Sequence, residues 1–204
     1  MKEIEAKFYV RRLAPIRGRI IQLGGRPTTR RHLERNWRFD LPGDPLAKDL
    51  ALLRLREDSA AYLTYKRPGK SIERREEIEL QVSDPAAARA LLAVLGFRMV
   101  SAYEKYRREF SWGKVRIMLD ELPFGNFVEV EGPSLQEVRK QAERLGLAWK
   151  RRVRSTYLQI FDQLRAHSSW HFQEATFDRF AALPPIQLDG IGLYDAMVKK
   201  GGAG

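Results

Sequence analysis

Eight segments of period-two alternation, cut apart by turn residues or short helical patterns, predict an α+β fold. The expected architecture is an eight-stranded antiparallel sheet, closed or nearly closed into a barrel with a charged interior, with helices packed outside. Three observations predict it. Strand-like segments dominate the first two thirds of the chain, turn residues or short helical patterns bound each of them, and charged residues repeatedly occupy one strand face while apolar residues occupy the other.

In order, the pattern gives a strand over 2–10, a helix over 12–24, strands over 30–40, 50–58, 60–67 and 73–82, and a helix over 84–95. Strands over 97–111, 114–120 and 126–132 follow, then helices over 134–146 and 151–165. Gly24-Gly25 and Pro27 end the first helix, Pro42-Gly43-Asp44-Pro45 makes a loop and Pro68-Gly69 a turn. Ser83-Asp84-Pro85 and Gly132-Pro133-Ser134 carry helix-start chemistry, and Gly96 and Gly146 stand where helices stop. Residues 1–165 form the expected barrel domain. Residues 166–204, with Trp170, Phe172, Phe177, Phe180, a Pro184-Pro185 break and a Gly-rich tip, form an expected appendage that is partly flexible.

Composition narrows the function classes. The 204 residues include no cysteine, which excludes disulfide scaffolds, thiolate zinc sites and cysteine nucleophiles. The start, Met1-Lys2-Glu3-Ile4-Glu5, is charged where a signal peptide needs an apolar run, and no stretch reaches membrane-span length, so the expected location is cytoplasmic. A net charge of +11, from 37 basic and 26 acidic residues, attracts polyanions without choosing among them. There is no Walker loop, dinucleotide fingerprint or nucleophile elbow. His167 and His171, with Glu174 beyond, have a zinc-like spacing but no further clear ligand, and read as surface or packing residues.

Alternate side chains point to opposite faces of a sheet, so each strand can be sorted by face. Glu3, Glu5 and Lys7 share a face against Ile4, Ala6 and Phe8; Arg54 and Arg56 oppose Leu53 and Leu55; Thr64 and Lys66 oppose Leu63 and Tyr65. Glu77 and Glu79 oppose Ile78 and Leu80, Lys105 and Arg107 oppose Tyr106 and Arg108, the last an exception to the apolar face, Arg116 and Asp120 oppose Val115, Ile117 and Leu119, and Glu129 and Glu131 oppose Val128 and Val130. One polar face per strand is the norm for an antiparallel sheet. Here, however, seven acids and seven bases arrive in same-sign blocks rather than mixed with neutral polar residues. The apolar faces can carry the helices, which places the hydrophobic core outside the sheet and the charges inside. Clustered like charges are costly without a ligand. Grouped carboxylates suit Mg²⁺ or Mn²⁺, and grouped Arg and Lys suit phosphate oxygens.

At these residues the chain resembles the CYTH family, the triphosphate tunnel metalloenzymes. The motifs are Glu3-Ile4-Glu5-Ala6-Lys7, Leu53-Arg54-Leu55-Arg56, Thr64-Tyr65-Lys66, Glu76-Glu77-Ile78-Glu79, Glu104-Lys105-Tyr106-Arg107, Leu119-Asp120 and Glu129-Val130-Glu131. Leu119-Asp120-Glu121-Leu122, followed by Gly125 to Glu131, looks most like the class IV adenylate cyclase and thiamine triphosphatase branch. The resemblance implies an eight-stranded tunnel whose bases bind a triphosphate and whose acids bind two metal ions, Mg²⁺ or Mn²⁺. Where relatives carry an Asp-x-Tyr-aromatic-Asp segment, this chain has Asn36-Trp37-Arg38-Phe39-Asp40. Arg38 thus replaces a tyrosine, which weakens a Lys–Tyr pair acting through Lys7 and adds a phosphate donor.

The expected metal ligands are Glu3, Glu5, Glu129 and Glu131, with Glu77, Glu79 and Asp120 as further ligands or as groups orienting Lys and Arg. The expected phosphate contacts are Lys7, Arg38, Arg54, Arg56, Lys66, Lys105, Arg107 and Arg116, and the catalytic set is Lys7, Glu5 and Glu131. Tyr157 reads as core packing. The expected function is metal-dependent hydrolysis of a triphosphate-bearing small molecule such as ATP, tripolyphosphate or thiamine triphosphate. The alternatives are an adenylate cyclase forming cyclic AMP and pyrophosphate, and a non-catalytic module binding polyphosphate or RNA. Neither a membrane nor nucleic acid is an expected partner, and a homodimer is left open.

Overall fold

The structure, a computed structural model, describes residues 4–68 and 75–197. Along the chain these form β1 (Ile4–Val10), α1 (Ala14–Gln22), β2 (Arg26–Pro27), β3 (His32–Asp40), α2 (Pro45–Lys48), β4 (Leu52–Glu57), β5 (Ala61–Pro68), β6 (Arg75–Val82) and α3 (Pro85–Val94). There follow β7 (Arg98–Trp112), β8 (Val115–Leu122), β9 (Gly125–Gly132), α4 (Leu135–Arg144), β10 (Arg152–Val153), α5 (Tyr157–Ser168), β11 (Glu174–Ala175) and α6 (Phe177–Ala181), with 3-10 turns at Trp149–Arg151 and Leu188–Ile191. All eight expected strands are present. The expected start of the first strand, with Glu3, lies outside the described residues, as do residues 73 and 74.

The helix ends follow the local chemistry. Asp84 caps α3 by accepting from the backbone N–H groups of Ala86 and Ala87, and Ser134 caps α4 by accepting from that of Glu137. Gly96 and Gly146 just beyond these helices have φ of +88° and +81°, the left-handed conformation that lets a helix stop. The last expected helix, 151–165, is shifted: residues 149–153 form a 3-10 turn and β10, and α5 begins after Thr156, which forms a capping box with Gln159. The expected loop over 41–49 contains α2. β2, β10 and β11 have two residues each, too few to show a period.

By its contacts the chain divides into two units. The first comprises Met1–His32, Lys105–His171 and Phe177–Gly204. Its strands run in the order β10-β1-β9-β8-β7, antiparallel throughout, with β2 also on β7. The core lies on the apolar face: Ala6, Phe8, Val10, Ile117, Leu119, Val128 and Val130 pack with Ile16 and Ile20 of α1, Val138 and Ala142 of α4, and Leu145 at the C-cap of α4. β9 ends on Gly132, where a Cβ would stand 2.9 Å from Val115 and 3.2 Å from Val138, so glycine lets α4 cross close to the sheet.

The second unit comprises Leu33–Glu104 and Phe172–Thr176. Here β3, β4, β5 and β6 form an antiparallel meander, and β11 runs parallel to β7 at Ala102 and Tyr103. Phe39, Leu53, Leu55 and Leu92 of α3 form its core, joined by Trp37, Leu63 and Tyr65.

Closure is where the architecture departs from expectation. Among the described residues β10 and β6 each have a pairing partner on one side only, so the sheet is mainly antiparallel and not a closed barrel. β10 offers just two residues, paired at Lys7 and Phe8, too short for a closing ladder. β6 carries Glu77 and Glu79, the kind of charge found on strands that remain edges. No helix among the described residues is long and apolar enough to cross a membrane.

Candidate functional site

In the first unit the polar face is built by β1, β9, β8 and β7. Register sets Glu5 opposite Glu131 and Lys7 opposite Glu129, so the acids of the first and last long strands become neighbours without barrel closure. Arg116 also lies opposite Glu131, and Arg107 opposite Asp120. Lys7 Nζ stands 3.2 Å from Glu129 Oε1 and 3.9 Å from Glu5 Oε1. Arg116 reaches Glu109 at 3.1 Å and Glu131 at 3.6 Å.

Asp120 is the hub of this face and has no exposed surface. Arg107 donates to it twice, Nε to Oδ1 at 2.7 Å and an Nη to Oδ2 at 2.6 Å; Lys105 Nζ donates to Oδ2 at 3.3 Å, and the Tyr157 hydroxyl at 2.8 Å. The same guanidinium also donates to Glu129. Burial pushes the Asp120 carboxyl up, but the charges of Lys105 and Arg107 and the donated hydrogen bonds outweigh it and hold the group well below the usual carboxylate range. Glu129 is likewise pushed up by burial and by the Asp120 charge, yet Lys105, Arg107 and Lys7 hold it below its ordinary value. Glu5 goes the other way. Burial, reinforced by the Glu129 charge, raises it despite Lys7 and Arg107.

Tyr157 is the residue whose part in this network the sequence did not reveal. Its ring lies 4.0 Å from Lys7 Nζ and 5.4 Å from Lys105 Nζ, and packs edge-on against Phe127. Burial, and then the charges of Asp120 and Glu129, push its phenol well above the ordinary value. Phe124 packs against Phe127, Phe161 and Phe180, closing the neighbouring end of the face with aromatic rings. The readable signal was the Thr156–Gln159 capping box, which puts Tyr157 at the first position of a helix rather than inside one.

In the second unit the polar face is richest in guanidinium. Arg38 stands directly opposite Arg54, and Asn36 opposite Arg56. Arg54 and Thr64 pair on the next ladder, where the Thr64 hydroxyl donates to Glu79 at 2.9 Å, while Lys66 pairs with Glu77 at 2.9 Å. The Nε atoms of Arg38, Arg54 and Arg56 and Oδ1 of Asn36 are buried without a hydrogen-bond partner. Arg56 Nε lies 3.6 Å from Asp58, an ion pair beyond hydrogen-bond reach. Like charges directly opposite on a sheet repel, and unsatisfied buried donors are costly, so further acceptors at these Nε atoms would stabilise this face.

Each described candidate thus sits on the polar face of its own unit: Glu5, Lys7, Lys105, Arg107, Arg116, Asp120, Glu129 and Glu131 in the first, Arg38, Arg54, Arg56, Lys66, Glu77 and Glu79 in the second. Among the described residues no group of three or more acidic or histidine side chains stands in ligand geometry. Glu5, Glu129 and Glu131 nevertheless fit a divalent ion chemically. They are hard oxygen donors on one face of adjacent strands, and Glu5 is raised partly by its carboxylate neighbour, a repulsion that a cation would relieve.

A mainly antiparallel sheet whose strands carry charged residues on one face and apolar residues on the other is the fold of a known family of domains. The CYTH domain matches residues 1–157, and the chain belongs to the CYTH family. It is 28% identical over 121 residues to a protein of Methanocaldococcus jannaschii named as a candidate adenylate cyclase, a match covering 53% of this chain and 69% of that one. In fold it is similar to a candidate adenylate cyclase from Vibrio parahaemolyticus, with TM-score 0.68 and 22% identity over 78% of this chain and 97% of the other. It is similar also to a Hippeastrum adenylyl cyclase candidate described as having a dominant triphosphatase activity, with TM-score 0.56 and 18% identity over 79% and 95% of the two chains.

Proposed function

We propose that this chain is a divalent-metal-dependent hydrolase of triphosphate-bearing substrates, with inorganic tripolyphosphate, a nucleoside triphosphate or thiamine triphosphate as the substrate class. The observation that carries the reading is the guanidinium cluster of β3 and β4, where Arg38, Arg54 and Arg56 keep buried Nε donors without an acceptor. Phosphoryl oxygens are the acceptors that match, because a guanidinium presents paired donors to two oxygens at once. The reading gives phosphate contact to these three, to Lys66, and in the first unit to Lys7, Lys105, Arg107 and Arg116. Charge that develops on phosphoryl oxygens in the transition state would be stabilised by donors already in place.

Mg²⁺ or Mn²⁺ would be held by Glu5, Glu129 and Glu131, and by Glu3, which lies outside the described residues. Such an ion supplies polarisation of the phosphate chain and acidification of a bound water. Asp120, with all its donors accounted for by Arg107, Lys105 and Tyr157, orients the basic side chains in this reading. Lys7 is held between two carboxylates and the Tyr157 ring, which fixes its ammonium group for a phosphate contact.

The second reading, an adenylate cyclase, is favoured by the name of the Methanocaldococcus relative. It would use the same basic contacts but needs a base pocket and a placed ribose hydroxyl, whereas hydrolysis needs water. Product analysis with ATP, thiamine triphosphate and tripolyphosphate under Mg²⁺ and Mn²⁺ decides between them. Phosphate release is expected, and cyclic AMP with pyrophosphate as the main products would replace the first reading by the second. No turnover of any of the three, together with no binding of tripolyphosphate, would overturn both.

A further inference from the structure

The segment after α6 builds a cavity of its own within the first unit. Leu188 is buried, and Gly125 of β9, where a Cβ would stand 2.8 Å from Leu188 and 3.2 Å from Tyr9, lets the 3-10 turn at Leu188–Ile191 lie directly on the sheet. Further on, the Ala196 N–H donates to the Tyr9 carbonyl at 2.8 Å, and the carbonyl of Ala196, itself buried, accepts from the Ala148 N–H at 2.8 Å. Between this strap and the end of β1 lies a cavity of about 410 Å³, the size of a small-molecule site. Tyr9, Arg11, Gln187, Asp189, Tyr194 and Asp195 supply its polar and aromatic lining. The strap lies outside residues 1–157, the part of the chain that the CYTH domain matches.

Along β1, Tyr9 continues the row of Glu5 and Lys7, but aromatic rings close that row off. The Tyr9 ring packs on Phe127 at 5.7 Å, Phe127 packs on Tyr157 at 5.1 Å, and the Tyr157 ring lies against Lys7. Phe127 and Tyr157 are both buried, so they separate the cavity from the charged face. The sign of the charge changes too. Asp189 and Asp195 against Arg11 leave an acidic excess here in a chain of net +11, so the cavity does not suit a phosphate group. Burial pushes the Tyr9 phenol up, with Asp195 and Asp189 adding to it against Arg11, whose guanidinium donates to the hydroxyl; both carboxylates are therefore within electrostatic reach of that oxygen. Asp195 Oδ1 is engaged by the Met197 N–H at 3.0 Å, which leaves Asp189 as the carboxylate open to a ligand.

We propose that this cavity is a second ligand site and takes a guanine base, with Asp189 accepting from N1–H and the 2-amino group and Arg11 donating to O6 and N7. A carboxylate only accepts and a guanidinium only donates, so a ligand that satisfies both offers adjacent donors beside adjacent acceptors. Guanine carries both sets on one flat ring, and Arg to O6 and N7 is the commonest specific contact to this base. Adenine has no O6 and no N1–H, so neither pair forms in full. Tyr9 and Tyr194 supply the aromatic surface on which a base stacks. The Arg151 guanidinium donates to the Asp195 carbonyl, and Lys150 and Arg152 flank it in sequence, so a basic rim stands beside the cavity for the phosphate of a guanine nucleotide. No residue of the charged face contributes, and the inference stands apart from the hydrolase reading.

Titration calorimetry with GMP in the presence of EDTA tests it. GMP has no triphosphate and EDTA removes divalent ions, which keeps the charged face out of the measurement. Saturable one-site binding of GMP is expected, weaker by about tenfold or more for AMP and for IMP, which lacks the 2-amino group. Asp189→Asn, at an exposed position, is expected to weaken GMP by a similar factor and to prefer XMP, because its amide donates to the O2 carbonyl that xanthine has in place of the amino group. Arg56→Ala, on the charged face of the second unit, is expected to bind GMP like the wild type. Absence of saturable GMP binding, equal binding of GMP and AMP, or undiminished GMP binding by Asp189→Asn would each overturn the proposal. So would loss of GMP binding in Arg56→Ala, which would put the ligand on the charged face.

Discussion

Tyr157→Phe isolates one hydrogen bond in the most buried part of the candidate site. The substitution keeps the ring beside Lys7 and Lys105 and removes the hydroxyl that donates to Asp120 at 2.8 Å. A hydrogen bond to a charged group contributes about 1.5–3 kcal/mol. Asp120 keeps two bonds from Arg107 and one from Lys105, so the expected loss is at the low end, about 1.5 kcal/mol, or roughly 3–6 °C in Tm for a chain of this size. The pH dependence identifies the bond. It requires Asp120 ionised, and a carboxyl held low when folded stabilises above its unfolded value near 4 and loses that contribution as pH falls through the folded one. It also requires the phenol protonated, and a phenol held high when folded stabilises fully below about 10 and loses the contribution as pH rises through the folded value. The difference between wild type and variant should therefore be widest between about pH 4 and 10 and narrow on both sides. Urea unfolding followed by circular dichroism at acidic, neutral and alkaline pH measures it. A difference that is flat with pH, or absent at neutral pH, would refute the hydrogen-bond account.

The two basic clusters should respond differently to truncation. Arg56→Ala is expected to raise KM strongly and lower kcat with little change in melting, because its Nε has no internal acceptor. Arg107→Ala is expected to do the same to activity and also to destabilise by about 3–5 kcal/mol, since it strips partners from the buried Asp120 and Glu129; equal melting of the two variants would contradict this. Glu5→Gln should abolish metal-dependent activity while leaving the metal-free protein as stable as wild type or more so. Its carboxyl is raised when folded, so its contribution is present below the unfolded value and lost as pH rises, and at neutral pH the neutral isostere removes a repulsion. Glu5→Gln and Glu131→Gln should also lose the Tm increase that Mg²⁺ or Mn²⁺ gives the wild type, measured by calorimetry; an undiminished increase in both would sink the carboxylate assignment.

The sequence by itself determined the elements and the faces. A strand alternates with period two whatever surrounds it, so Glu5 and Lys7 could be assigned to one side of β1 and Ala6 and Phe8 to the other, and the buried core follows that split. Caps are equally local: Asp84, Ser134 and the glycines after α3 and α4 act through bonds within a turn of where they stand. Only the tertiary structure decided which strands meet. The pairing of β1 with β9 brings together residues more than a hundred positions apart, and β10, too short to carry a pattern, occupies the other edge of β1. It also decided what each charge does. Glu5, Glu129 and Asp120 are all acidic residues on polar faces, and nothing in their local sequence separates them. Burial beside a second carboxylate raises the first, while Lys105 and Arg107 hold the other two low. Tyr157 shows the same limit: its neighbours in sequence mark only the start of a helix, and its bond to Asp120 exists because folding buries the two together across 37 residues.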